Sequence, residues 1–201
     1  MALLAESLVE EWLNRKSFFT IRGVKHGVHE VDLLGIRRET NGTVEGWHVE
    51  VQASFRPVGY IAKLTNDIAG EGDNRRAKTS AKARTPEEVE ACAREWVRGK
   101  FLTDDKKRVR NALWPGVTWS YHLVHAVVRA ESELTAFRGL GVECHPFTAI
   151  LSELLQRAKG GFSGSAGGDI AEIVGYYNAH SSSAGGAHPI DAGVDRPGRP
   201  L

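Results

Sequence analysis

The chain has 201 residues, 41% of them hydrophobic, which is enough for one domain with a buried core. Its 26 basic and 25 acidic residues leave a net charge of +1, excluding any bulk electrostatic pull toward nucleic acid, so a binding surface must come from local clustering. Cys92 and Cys144 are far apart, no export leader is evident and no run approaches the ~18 apolar residues of a membrane span, so the expectation is a cytoplasmic protein with reduced thiols and no membrane partner.

Leu4, Leu8, Val9, Trp12 and Leu13 recur at helical spacing and predict an amphipathic helix over 3–15, with Glu6 and Glu10 one turn apart on its polar side. Phe18–Val24 reads as a strand. Two alternating runs follow, His29–Arg37 and Gly46–Ser54, joined by a turn cluster containing Asn41-Gly42, which is a hairpin signal. Each run carries acids in its middle, where strands deplete them: Glu30 and Asp32 on the first, Glu50 on the second. Strict alternation puts Glu30 and Asp32 on one face and Val31 and Leu33 on the other, and pairs Glu50 with Gln52 opposite Val49 and Val51.

Register decides whether the acids meet. A two-residue Asn41-Gly42 turn pairs Thr40 with Thr43 and sets Asp32 across from Val51, on opposite faces from Glu50. A three-residue loop, Thr40-Asn41-Gly42, pairs Glu39 with Thr43 and Asp32 with Glu50, with Gly42 at the left-handed position of a bulged turn. The second register is expected. Two carboxylates brought together in this way repel, and a hard divalent ion between them relieves the repulsion.

Beyond Gln52, Pro57 ends the strand. Lys63, Arg75, Arg76, Lys78, Lys82 and Arg84 then outnumber Asp67, Glu71 and Asp73, which fits either a solvated loop or a segment that contacts phosphates without reading sequence. Thr85-Pro86-Glu87-Glu88 starts a helix with Val89, Cys92, Ala93, Trp96 and Val97 inward and Gly99 as its stop. Lys106, Lys107, Arg108 and Arg110 make a second basic cluster. Thr118–Arg129 reads as a long strand, in which His122 and His125 take opposite faces and so do not form a metal pair. Glu131–Leu140 is expected to be a short helix, 141–146 an edge strand closed by Pro146, and Phe147–Ala158 a helix with Ile150, Leu151, Leu154 and Leu155 inward. This order predicts an α/β domain over 1–160 with a central mixed sheet flanked by helices. Residues 161–180 are expected to be a linker and C-terminal helix, the Gly/Ser linker running Gly160–Gly168, and 181–201 a disordered tail.

The run Gly27-x-His-Glu-Val-Asp-Leu-Leu-Gly-Ile, followed by His48-Val-Glu-Val-Gln with Glu50 eighteen positions after Asp32, resembles the PD-(D/E)XK nuclease superfamily. The resemblance covers roughly residues 5–55 and implies the restriction-endonuclease-like fold with its α-β-β-β-α-β core. It implies a metal-dependent endonuclease, a hydrolase of DNA phosphodiester bonds in restriction, defence or repair, using Mg²⁺ with Mn²⁺ as a substitute. Asp32 and Glu50 match the metal-binding acids, with the Val51 carbonyl as a further ligand. Gln52 stands where the family has Lys; it could orient the attacking water but not stabilise the developing charge. Glu6 stands where members place an acid from the first helix. Lys63 could supply the missing lysine if residues 59–69 are helical and lean over the sheet, and Arg56 is a second source of charge. Arg75, Arg76, Lys78, Lys82, Arg84, Lys106 and Lys107 would contact DNA. Small members often dimerise to cut both strands, which implies a homodimer or a partner protein.

Three other readings compete. A binding module with the same fold and an incomplete triad would bind nucleic acid or a partner without cutting. A scaffold would leave Glu30, Asp32 and Glu50 as plain exposed sheet residues. His26, His29 and His48 with Glu30 offer zinc-type ligands but lack zinc spacing. Dinucleotide, nucleotide-triphosphate and serine-hydrolase motifs are absent.

Overall fold

The hairpin between the second and third strands sets the register of the whole sheet. In the computed structural model, which describes residues 2–26, 29–54, 56–70, 75–156 and 166–181, strand β2 (His29–Arg38) pairs antiparallel with β3 (Val44–Gln52), Leu33 against Val49 through Arg38 against Val44. The Glu39 amide donates to the Thr43 carbonyl (2.8 Å), and Gly42 has φ +87°. This is the three-residue loop expected from the sequence, with glycine where a left-handed residue is required.

The full sheet has five strands in the order β1-β2-β3-β4-β5, with β1 (Phe19–His26) antiparallel to β2, and β4 (Thr118–His125) and β5 (Val142–Pro146) continuing parallel from β3. Helix α1 (Ala2–Arg15) precedes β1 and buries Leu8, Val9, Trp12 and Leu13 as read from the sequence, but Leu4, expected in the same stripe, is exposed and Ala5 is buried instead. Three helices cross from β3 to β4: α2 (Asn66–Ala69), α3 (Pro86–Phe101) and α4 (Asp104–Leu113). Then come α5 (Glu131–Gly139), α6 (Phe147–Gln156) and α7 (Ala166–Ser181). The fold is thus α/β, a mixed sheet flanked by helices. One core cluster joins α1 and α6 to Leu33, Val49, Val51 and Val124; another joins α3 and α5 to Leu123 and Val142. Among the described residues no helix is long and apolar enough to cross a membrane.

Several boundaries differ from the sequence reading. Helix α3 begins as expected, with a full capping box between Thr85 and Glu88, but it runs through Gly99 to Phe101. Gly99 keeps helical backbone, and Leu102 caps the end. The basic cluster of Lys106, Lys107, Arg108 and Arg110 lies on a helix, α4 (Asp104–Leu113), capped by the Thr103 side chain. Strand β4 stops at His125, four residues short of Arg129, and Val128 pairs only through an isolated bridge to Val58. Residues 166–168 belong to α7 rather than to a linker, and α7 lies against α1; a Cβ on Gly167 would overlap the Ser7 carbonyl. Residues 157–165 and the expected tail 182–201 lie outside the described residues.

Alternation also fails at one point on β2. Leu33 packs with α1, whereas Val31 packs with Leu34 and Val109, so Val31 and Leu33 do not share a face. The break has a local cause: β1 pairs with β2 on both sides of Asp32, but opposite Asp32 stands Gly23 with φ +64°, where the ladder skips a pair.

Candidate active site

The β2–β3 ladder ends at Leu33 and Val49, and one step further the same register sets Asp32 beside Glu50. There the Val51 amide donates to Asp32 Oδ2 (2.8 Å) instead of to a carbonyl of β2, so the side chain itself ties the two strands together. The interaction found at Val51 is this amide; its carbonyl remains the ligand the resemblance implies. Burial, and then the charge of Glu50, push the Asp32 carboxyl up to about 7.

Glu50 is fully buried, and each of its oxygens holds an ammonium group: Lys100 Nζ donates to Oε2 (2.7 Å) and Lys106 Nζ to Oε1 (2.6 Å). Lys106 is buried as well, while the Lys100 side chain keeps 32% of its surface exposed. His48, two residues earlier on the same face of β3, completes the shell. Arg110 Nη1 donates to Phe101 O (2.9 Å) and lies 2.8 Å from His48 Nδ1. Arginine has no acceptor, so His48 Nδ1 accepts; the ring proton is then on Nε2, which donates to Glu50 Oε1 (3.2 Å). Burial pushes His48 down to about 4, so this ring is neutral at neutral pH. Burial would raise the Glu50 carboxyl, yet the His48 hydrogen bond and the two lysine charges hold it at about 2.

The two helices deliver these groups by simple periodicity. Helix α4 buries Lys106, Val109 and Arg110, an i, i+3, i+4 stripe with cations at two of its three places. Lys100 is reached only because α3 continues past Gly99. From α1 comes Glu6, at 9% exposure, whose carboxyl burial raises and which feels the charges of Arg22, Glu30, Glu50 and Lys100. Glu6 and Glu50 thus both act electrostatically on Asp32, and Glu50 on Glu6.

The basic residues named from the sequence divide. Lys106 is buried on Glu50 and is not an exposed phosphate contact. Arg84 is not one either: its side chain is 1% exposed, stacks on Tyr60 (3.8 Å) and donates to Ala62 O (2.9 Å). Arg76 pairs with Glu88 (2.5 Å) and Lys107 with Asp104 (3.2 Å), while Arg75, Lys78 and Lys82 are exposed. Lys63 does not meet the condition set for it. Only 66–69 are helical in that segment, and Lys63 sits before them in a loop. Of the two lysines on Glu50, Lys106 was named from the sequence but for another role, and Lys100 was missed because a helix stop was placed at Gly99. His48, grouped from the sequence with zinc-type ligands, lies inside the site against Glu50. Side chains of His26 and His29 lie outside the described residues.

A cleft of about 1020 Å³ opens beside the cluster, lined by Gln52, Lys63, Lys78, Arg94, Arg98 and Lys100 together with apolar and acidic neighbours. Its wall is held in place by Glu133, which is fully buried on α5 and accepts the amides of Ile61 (2.6 Å) and Ala62 (2.9 Å). No family model and no curated protein matches this chain. A crystal structure of a protein of unknown function, AF1548, is similar with a TM-score of 0.45 and 13% identity over 76% of this chain, which spans 66% of that protein.

Proposed function

We propose that this chain is a metal-dependent deoxyribonuclease with a restriction-endonuclease-like core, in which Lys100 supplies the charge that Gln52 lacks. The observation that carries the reading is the Asp32–Glu50 pair on neighbouring strands with the Lys100 ammonium 2.7 Å from Glu50 Oε2, beside a cleft lined by further cations. The element order α1, β1, β2, β3, α3, β4 is compatible with the family core.

The donor set suits a hard ion such as Mg²⁺, or Mn²⁺ in its place. Asp32 Oδ1 has no hydrogen-bond partner among the described residues, and a carboxyl raised to about 7 by burial and by a neighbouring carboxylate is one that a cation would recharge. Asp32, Glu50 and the Val51 carbonyl would hold the ion with Glu6 close by, provided that Lys100 yields Glu50 Oε2; its partly exposed side chain permits that turn toward the cleft. Bound there, the ion would acidify a water and polarise the phosphate. Lys100 would then face the developing negative charge, and Gln52 would orient the attacking water by hydrogen bonding. Lys106, His48 and Arg110 keep Glu50 ionised and fixed in direction throughout. Lys63, Lys78, Arg94 and Arg98 would meet the phosphate backbone along the cleft, and cutting both strands would call for a second copy or a partner protein.

The test is cleavage of linear, circular, single-stranded and branched DNA with Mg²⁺ or Mn²⁺, comparing wild type with Asp32→Ala, Glu50→Gln and Lys100→Met, each checked for folding by circular dichroism. Metal-dependent cutting lost in all three supports the assignment, and cutting retained in Asp32→Ala overturns it. One observation favours a second reading, a binding module that does not cut: both Glu50 oxygens already have ammonium partners. DNA binding with a steep salt dependence and no cleavage would be its signature.

A further inference from the structure

Across the sheet from Glu50, on the face covered by α1, lies a second polar cluster that the proposed reaction does not use. It consists of His122 on β4 and Glu143 and His145 on the edge strand β5. The parallel register pairs His122 with Glu143 and Val124 with His145, so alternate residues of β5 both reach the His122 ring. His122 Nδ1 is 3.0 Å from His145 Nε2 and 3.7 Å from Glu143 Oε2.

The protonation of His122 follows from its other nitrogen. Ser120 Oγ has Gly46 O as an acceptor at 3.2 Å, and with its proton there it accepts at its 2.8 Å contact with His122 Nε2. The ring proton is therefore on Nε2, and Nδ1 presents a lone pair toward His145 and Glu143. Trp47 stacks on His122 with 3.8 Å between ring centroids, and Trp12 meets His145 edge-on at 5.4 Å, so both rings are held in orientation. We propose that His122 Nδ1, His145 Nε2 and Glu143 Oε2 bind a zinc-class divalent transition metal, with water as the fourth ligand.

Chemistry and distance agree on this class of ion. Two imidazoles and one carboxylate form a ligand set suited to zinc and poorly suited to magnesium, which selects oxygen. Metal–nitrogen bonds of about 2.0–2.1 Å at a tetrahedral angle separate ligand atoms by roughly 3.3–3.4 Å. The observed 3.0 and 3.7 Å lie either side of that, and the three ligand atoms all fall within 4.8 Å of one another, so rotation of the exposed Glu143 side chain can complete the site. Burial pushes His122 down to about 3 and lowers His145 too, so both rings are in the neutral form a metal requires. Glu143 is 66% exposed and marks the entry from solvent. Ser120 accepting from Nε2–H is the kind of outer partner that fixes a ligating histidine. The bound ion would clamp edge strand β5 to β4, independently of Asp32 and Glu50.

The experiment is titration of the full, metal-stripped chain with Co²⁺, following the visible ligand-field bands that report tetrahedral coordination, in wild type and in Asp32→Asn. One equivalent with intense bands, present in both proteins and bleached by Zn²⁺, is the expected result. His145→Asn should weaken binding by roughly a hundredfold or more and Glu143→Gln should weaken it measurably, since even loss of an orienting partner costs about 10–100-fold. Both positions are on the edge strand, so their variants carry the test if His122→Asn fails to fold. Absence of the bands in wild type, or bands of equal strength and affinity in His145→Asn, overturns the site. Bands lost in Asp32→Asn but kept in His145→Asn would place the ion at Asp32 and overturn it too.

Discussion

Strands β3 and β4 carry a buried polar cluster on each face, and the two are built on opposite principles. On the α3–α4 face, Glu50 is ionised in the interior and held by two lysines and a histidine. On the α1 face, His122 is equally buried but neutral, and aromatic stacking and neutral hydrogen bonds suffice to keep it there. Burying a charge demands counter-charges from elsewhere in the chain, and α4 exists in its present sequence to provide them. Burying a neutral ring demands only shape and one acceptor. The charged cluster should therefore be brittle toward loss of either enclosed charge, Glu50 or Lys106, and the neutral one tolerant.

The largest expected effect breaks the charged side. Glu50→Ala leaves the Lys106 ammonium buried without a counter-charge and should lower unfolding free energy by about 3–5 kcal/mol. Glu50→Leu combined with Lys106→Met, which removes both charges, should recover most of that loss. Urea denaturation of these proteins together with the single variants Glu50→Leu and Lys106→Met measures the coupling; additive losses would show that the pair is not an energetic unit.

Next comes Asp32, on the edge of the same cluster. Its folded pKa of about 7 lies above the ordinary 3.8, so the folded chain holds this proton more tightly than the unfolded one. The stability it contributes is complete below the unfolded value and is lost as pH rises through about 7. Asp32→Asn imitates the protonated form. In metal-free buffer it should stabilise the protein at pH 8 by about 1–3 kcal/mol, an advantage that shrinks as pH falls from 7 toward 4. Mg²⁺ should raise the melting temperature of wild type but not of this variant, with the larger rise at pH 8. A variant advantage that grows on acidification would contradict the assigned shift.

On the neutral side, His122→Asn removes two hydrogen bonds and a ring stack but strands no charge, so metal-free stability should fall by only about 1–2 kcal/mol, less than half the Glu50→Ala loss. Equal losses in the two clusters would remove the distinction between them.

The two clusters were also unequally legible in the sequence. The hairpin was readable because acids in the middle of alternating runs are conspicuous, and because only the three-residue loop lets Gly42 adopt φ +87° while pairing Glu39 with Thr43. The pairing of Asp32 with Glu50 followed from that register, while Glu6 was implied only by the family resemblance. What was not legible was whatever depended on burying a cation. The sequence of α4, DDKKRVRNAL, reads as solvated because hydropathy counts lysine and arginine as surface, and only the buried Glu50 makes Lys106 and Arg110 inward residues. Lys100 was hidden by Gly99, a common stop signal that ends a helix only where backbone turns left-handed, and here it does not. The pairing of His122 with His145 was invisible for a different reason. Comparing His122 with His125 along one strand cannot reveal a partner on the next, since lateral register between parallel strands depends on the crossover helix.

The smallest expected effect on stability separates the lysines by function. Lys100 and Lys106 both sit on Glu50, at 2.7 and 2.6 Å, and a count of ion pairs would treat them alike. Their surroundings do not. Lys106 is enclosed, so its removal leaves a buried carboxylate one partner short, whereas the partly exposed Lys100 is screened by water and its removal should cost under about 1 kcal/mol. If Lys100 is the group that faces the developing phosphate charge, Lys100→Met should nonetheless lower kcat by about 10²–10³, the usual loss when one such donor is removed, with little change in DNA affinity. Lys100→Arg, which keeps the charge but not its point geometry, should restore only part of the rate. Measured against Lys63→Met, whose side chain lines the cleft without reaching Glu50, the comparison distinguishes a catalytic ammonium from a general contribution to phosphate binding. A Lys63→Met loss in kcat equal to that of Lys100→Met would return the role to Lys63, the residue that the sequence first suggested.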